Sequence, residues 1–138
     1  MTDVPSLKAG PITRTTLALF AGASGDHNPI HIDIDAARES GVDDVFAHGM
    51  LSMAYLGRAL TDAFPQSRLV ELATRFTAIT PVLAEPVITA ERTGTETDAN
   101  GTELTRLALT ATLADGTVTL RGHALIAGSE TAGTGAGA

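Results

Sequence analysis

The stretch Gly49-Met50-Leu51-Ser52-Met53-Ala54-Tyr55-Leu56-Gly57-Arg58-Ala59-Leu60-Thr61-Asp62-Ala63-Phe64 decides the fold. Met50, Leu51, Met53, Ala54, Tyr55, Leu56, Ala59, Leu60 and Ala63 leave almost no polar face over its first three turns. A helix that is apolar all round is a buried helix, so this one is expected at the centre of the domain. Pro65 ends it, because proline has no N–H to continue the ladder.

Downstream of Pro65 the periodicity changes from helical to alternating. Val70, Leu72, Thr74 and Phe76 alternate with Glu71, Arg75 and Thr77, which predicts a strand within 69–79. β-branched residues dominate 87–97. Leu107, Leu109, Ala111 and Leu113 share one face of a strand over 104–113, and Val118, Leu120, Gly122, Ala124 and Ile126 share one face of the last. Asn100-Gly101 is expected to form a type I′ hairpin turn, with positive φ at both central positions, and Asp115-Gly116 marks a second tight turn. Four antiparallel strands joined by short turns are thus predicted after the helix. Their shared apolar face needs a cover, and the central helix is the only candidate. The expected fold class is α+β, a curved antiparallel sheet wrapped around a long central helix.

Upstream, Pro5, Gly10 and Pro11 leave room for one brief strand within 7–12. Thr13 is placed to cap a helix ending at Gly22, and Asp35 to cap a small helix over 36–40 closed by Gly41. That small helix reads as a flap. The tail 128–138 is Gly, Ala, Thr and Ser without apolar periodicity, so it is expected to be a disordered appendage to a single domain of residues 1–127.

Composition narrows the function. The chain of 138 residues has a net charge of −7 and no run of basic residues, which argues against nucleic acid. It has no cysteine, which removes disulfides, thiol catalysis and zinc–thiolate sites. No apolar run reaches the ~20 residues of a membrane span. A cytoplasmic protein that binds no membrane is expected.

Between the first helix and the central one, Ser24-Gly25-Asp26-His27-Asn28-Pro29-Ile30-His31 brings a carboxylate, a carboxamide and two imidazoles together, and Ala47-His48-Gly49-Met50-Leu51 follows. Glycine and proline force the backbone to loop there, so that side chains can converge for acid/base work. His27, His31, Asp33 and Asp35 have ligand chemistry, but Pro29 breaks the helix that would align them. No metal and no cofactor are expected.

These two runs resemble the hydratase motif of MaoC-like hot-dog proteins, the (R)-specific enoyl-thioester hydratases and 3-hydroxyacyl-thioester dehydratases. Arg75-Phe76-Thr77-Ala78 and Ala108-Leu109-Thr110-Ala111-Thr112 also resemble the later strands of mycobacterial-type 3-hydroxyacyl-carrier-protein dehydratases. The resemblance implies a hot-dog fold and a hydro-lyase acting on acyl-CoA or carrier-protein thioesters. By position, Asp26 and His31 match the family's catalytic pair, and Gly49 matches the backbone amide that polarises the thioester carbonyl. Asn28, His48, Met50 and Ser24 are assigned to holding the substrate, its water or the loop; His27 is expected at the pocket edge and His123 to be a satisfied histidine. A homodimer is expected, with a heterodimer as the alternative. The competing functions are a non-catalytic partner subunit of a dehydratase heterodimer and an acyl-thioesterase.

Overall fold

The structure is a computed structural model describing residues 4–128. Elements follow in the order β1 (Leu7–Lys8), α1 (Arg14–Ser24), a 3₁₀ turn (Pro29–His31), α2 (Ile34–Glu39), α3 (Gly49–Ala63), a second 3₁₀ turn (Gln66–Arg68), β2 (Leu69–Phe76), β3 (Val87–Thr97), β4 (Glu103–Thr112) and β5 (Val118–Ala127). The strands form one antiparallel sheet in the order β1-β3-β4-β5-β2, curled around α3. Among the described residues no helix is long and apolar enough to cross a membrane. The expected disordered tail lies outside the described residues, apart from Gly128.

The alternation read in β4 and β5 is what fills the core. Leu107, Leu109 and Ala111 from β4 and Leu120, Ala124 and Ile126 from β5 pack with Ile88 against Leu56, Ala59, Leu60 and Phe64 of α3 and its C-cap. Each fully buried Leu or Ile contributes roughly 1.5–3 kcal/mol relative to exposure. Gly122 belongs to this face for a steric reason: a Cβ there would stand within van der Waals overlap of the Ala73 carbonyl of β2. A smaller core of Ile12, Leu17, Ala37, Val45, Ala47 and Leu51 lies around the N-terminal end of α3, and Tyr55 packs against both.

Several expectations are corrected. α3 is not buried all round: Met50 is 58% exposed, and Ala54, Arg58 and Thr61 continue that open side. The sheet covers only one flank of the helix, so the apolar pattern overstated its burial. β2 and β3 are not joined by a short turn, because they lie towards opposite edges of the sheet and residues 77–86 must cross between them. At Asn100-Gly101 only Gly101 has positive φ, +82°. Gly101 N–H donates to Asp98 O and Asp98 N–H to Thr102 O, both at 3.0 Å, which is a three-residue loop of a type I turn followed by a left-handed glycine. The Asp98 carboxylate, accepting from Asn100 and Thr102 N–H, stabilises that form. α1 runs two residues past Gly22 and is closed by Gly25, at φ +78°, whose N–H donates to Ala21 O. Asp33, not Asp35, caps α2, accepting from Asp35 N–H at 2.9 Å.

Candidate active site

From the end of α1 the chain is guided by a relay of side-chain-to-backbone hydrogen bonds. Ser24 Oγ accepts from Asp26 N–H at 3.2 Å, Asp26 Oδ1 from Asn28 N–H at 3.2 Å, and Asn28 Oδ1 from Ile30 N–H at 3.3 Å. Each acceptor satisfies a donor two residues ahead, the way short polar side chains build turns. Ser24 and Asn28 are thus engaged at these oxygens in shaping the loop, which for Asn28 is one of the roles expected from sequence. His27 is exposed, and Met50 is exposed and does not line the cavity described below.

The relay leaves Asp26 Oδ2 4.0 Å from His31 Nε2, with the carboxylate half-exposed and the imidazole buried. His31 Nδ1 lies 2.7 Å from Phe46 O. A carbonyl only accepts, so Nδ1 carries the proton in the neutral ring and Nε2 presents a lone pair towards Asp26. The ring also packs edge-on against Phe46, with centroids 5.0 Å apart.

His48, 1% exposed, ties this loop to the start of α3. Its Nε2–H donates to the main-chain oxygen of Asp26 at 3.1 Å, and its ring stacks on His31 at 3.9 Å and meets Phe20 edge-on at 4.9 Å. Nδ1 has no partner among the described residues. Burial pushes His48 below the usual imidazole range, against the Asp26 carbonyl, which favours the charged form, while His31 opposes a second positive charge beside it.

Gly49 opens α3, where the first N–H groups have no partner within the helix and the dipole favours negative charge. A Cβ at Gly49 would come within 3.1 Å of the Phe76 ring. A cavity of about 290 Å³ adjoins it, lined among others by Phe46, Ala47, Gly49, Ser52, Phe76 and Thr80. Phe46 stands between this cavity and the acid/base pair, lining the one and holding His31 of the other. Sequence reading missed Phe46 and Phe76. Phe46 acts through its main-chain oxygen, which any residue carries, whereas Phe76 was legible as an apolar residue on the strand face turned towards the helix.

Asp26, His31 and His48 each offer a donor atom within 4.8 Å of the others, a set with cation-binding chemistry. The stacked rings direct their lone pairs along nearly parallel planes, and His48 Nε2 is committed as a donor to Asp26 O. That arrangement suits a held water better than a chelated ion.

Residues 2–118 match the MaoC like domain family. The chain belongs to this family. Its MaoC-like sequence is 35% identical over 98 residues to 3-hydroxyacyl-thioester dehydratase Z of Mycobacterium tuberculosis, covering 66% of this chain and 64% of the relative. It is 31% identical over 77 residues to the mitochondrial 3-hydroxyacyl-[acyl-carrier-protein] dehydratase of Arabidopsis thaliana, covering 51% of this chain and 46% of the relative. The MaoC-like chain thus matches about half to two thirds of the length of these curated relatives. Among solved structures, R-hydratase PhaJ1 of Pseudomonas aeruginosa is similar with a TM-score of 0.75 and 26% identity, over 91% of this chain and 81% of that one. The curled sheet around α3 is the hot-dog fold.

Proposed function

We propose that this MaoC-like chain is a hydro-lyase that adds water to trans-2-enoyl thioesters, or removes it from (3R)-3-hydroxyacyl thioesters. The observation that carries the reading is the Asp26–His31 pair, 4.0 Å apart, with its imidazole tautomer fixed by Phe46 O. Asp26 and the free Nε2 of His31 are placed to hold one water between them. In hydration the water oxygen forms a bond to C3 while His31 Nε2 takes one of its protons; the other stays on the new hydroxyl. The electron pair displaced from the C2–C3 double bond moves onto the thioester oxygen, where the Gly49 amide meets the growing charge. The proton on His31 then passes to C2, the thioester carbonyl re-forms, and the imidazole returns to its starting state. Dehydration is the same path reversed.

The names of the matched dehydratases and of the R-hydratase neighbour support this chemistry. Purified protein is expected to hydrate trans-2-crotonyl-CoA, followed as loss of enoyl absorbance, and Asp26→Asn to lose turnover while keeping the wild-type melting temperature. Release of free thiol without hydration would make the protein a thioesterase. Activity gained only on adding a second chain would make it a partner subunit.

We infer further that residues 1–127 work as one domain paired with a second copy. β2 is an edge strand of the sheet, and Val70, Phe76 and Ile79 leave apolar surface exposed along and beyond it. Gel filtration at twice the monomer mass supports pairing; a fully active monomer contradicts it.

A further inference from the structure

The cavity beside Gly49 is walled mostly by aromatic and aliphatic side chains, and three hydroxyls interrupt them: Ser52, Thr80 and Thr119, which are 4%, 4% and 2% exposed. A buried hydroxyl is costly unless its proton finds an acceptor. Thr119 gives its proton to Ala111 O within the sheet. Ser52 and Thr80 have only each other among the described residues, with their oxygens 3.4 Å apart, the long limit of a hydrogen bond. Two hydroxyls that share one bond use one of their two protons. The other is left over, in a wall that faces the cavity.

Ser52 lies three residues after Gly49, so the two are neighbours on one side of α3, and both line the cavity. Helical Cα–Cβ bonds tilt towards the N-terminus, which carries the Ser52 side chain back over the turn that Gly49 opens. α3 offers the cavity a single free amide, that of Gly49. Met50 lies outside the lining, and the Leu51 and Ser52 N–H groups donate to His48 O at 3.1 and 3.4 Å. A carbonyl oxygen has two lone pairs, so one amide leaves room for a second donor as charge grows on it.

We propose that the Ser52 hydroxyl is the second donor to the thioester oxygen and that Thr80 orients it, an inference that rests on the hydro-lyase reading. Thr80 Oγ1–H donates to Ser52 Oγ, which turns the Ser52 proton out into the cavity. As the electron pair of the C2–C3 double bond moves onto the thioester oxygen, the Gly49 N–H and the Ser52 O–H each donate a hydrogen bond to that oxygen, and no proton leaves the hydroxyl. Ser52 is then a catalytic residue and Thr80 a positioning residue. A donor already in place where charge develops acts on the chemical step more than on binding.

Two readouts on the whole protein test this. With trans-2-crotonyl-CoA, Ser52→Ala is expected to lower kcat by about ten- to a hundredfold while KM stays within about twofold of wild type. Ser52→Thr keeps the hydroxyl and should restore most of the rate, and Thr80→Val, which removes only the orienting bond, should fall between the two. The second readout needs no turnover: in infrared spectra of bound butyryl-CoA, the thioester carbonyl should absorb at lower wavenumber on wild type than on Ser52→Ala. A wild-type kcat or an unmoved carbonyl band in Ser52→Ala would overturn the proposal, and so would a Ser52→Thr variant as slow as Ser52→Ala, which would make the effect one of packing. Should Ser52→Ala not fold, Thr80→Val decides, and a wild-type kcat with an unmoved band there overturns the proposal. If the band shifts as expected but wild type hydrates no enoyl thioester, the hydro-lyase reading fails and the donor stands; a wild type that binds no acyl-CoA removes both.

Discussion

The two ends of α3 are built on different physics. Its C-terminal half, from Leu56 to Phe64, lies in an aliphatic core against β3, β4 and β5, where contacts are numerous, non-directional and proportional to buried area. Its N-terminal end, at His48 and Gly49, meets a loop held by a handful of directed bonds, several of them to main-chain oxygens. The first region supplies stability and the second supplies geometry. Substitutions in the two should separate cleanly in stability and activity.

The largest separation is expected from His31→Ala. Removing the group that moves the proton should cost about 10²–10⁴-fold in turnover of an enoyl-CoA, with a denaturation midpoint close to wild type. Loss of folding instead would show that the loop, like the core, carries the stability. Leu109→Ala is the mirror experiment: the side chain is buried in the sheet face, so truncation should cost about 2–5 kcal/mol by urea denaturation. Its turnover per folded molecule should stay within about twofold of wild type, since it touches no site group.

Gly49→Ala sharpens the border between the regions. The added methyl would meet the Phe76 ring at 3.1 Å, so either the ring shifts or the substrate carbonyl is held away from the amide. A fall in kcat/KM on the order of tenfold, one lost hydrogen bond's worth, is expected with little change in melting. The smallest effect concerns His48. Its native pKa is lowered from the ordinary 6.5, so between these two values the unfolded chain binds the extra proton and acid favours unfolding. Its contribution is intact above pH 6.5 and is lost as the pH falls through the lowered native value. Denaturation curves at pH 7.5 and pH 5.5 should show a smaller acid loss in His48→Gln than in wild type.

The same contrast explains what was legible in the chain. The core half could be read because periodicity reports burial directly: α3 stops before Pro65 as expected, and Leu107, Leu109, Ala111, Leu120, Ala124 and Ile126 all face inward. Strand order was not readable, since β2 reaches the far edge beside β5 through a crossing that no local pattern specifies. At the site, the residue types were legible and their partners were not. Asp26 and His31 stood out by chemistry, but His31 is held by a carbonyl of Phe46, and Asn28 spends its oxygen on Ile30 N–H. Choices between near-equivalent local acceptors, such as Asp33 over Asp35 as the cap of α2, were likewise settled by the path of the backbone. His123 was read as satisfied, and a carboxylate on the neighbouring strand satisfies it.

The central claim is that the Asp26 carboxylate and the His31 imidazole act on one water as a unit. The most direct test is a double-mutant cycle on the hydration rate of trans-2-crotonyl-CoA, using Asp26→Asn, His31→Ala and the two combined. Groups that act together lose their function once, so the double variant is expected to be no slower than the worse single variant. Losses that multiply, or a single variant that turns over at the wild-type rate, would contradict the account.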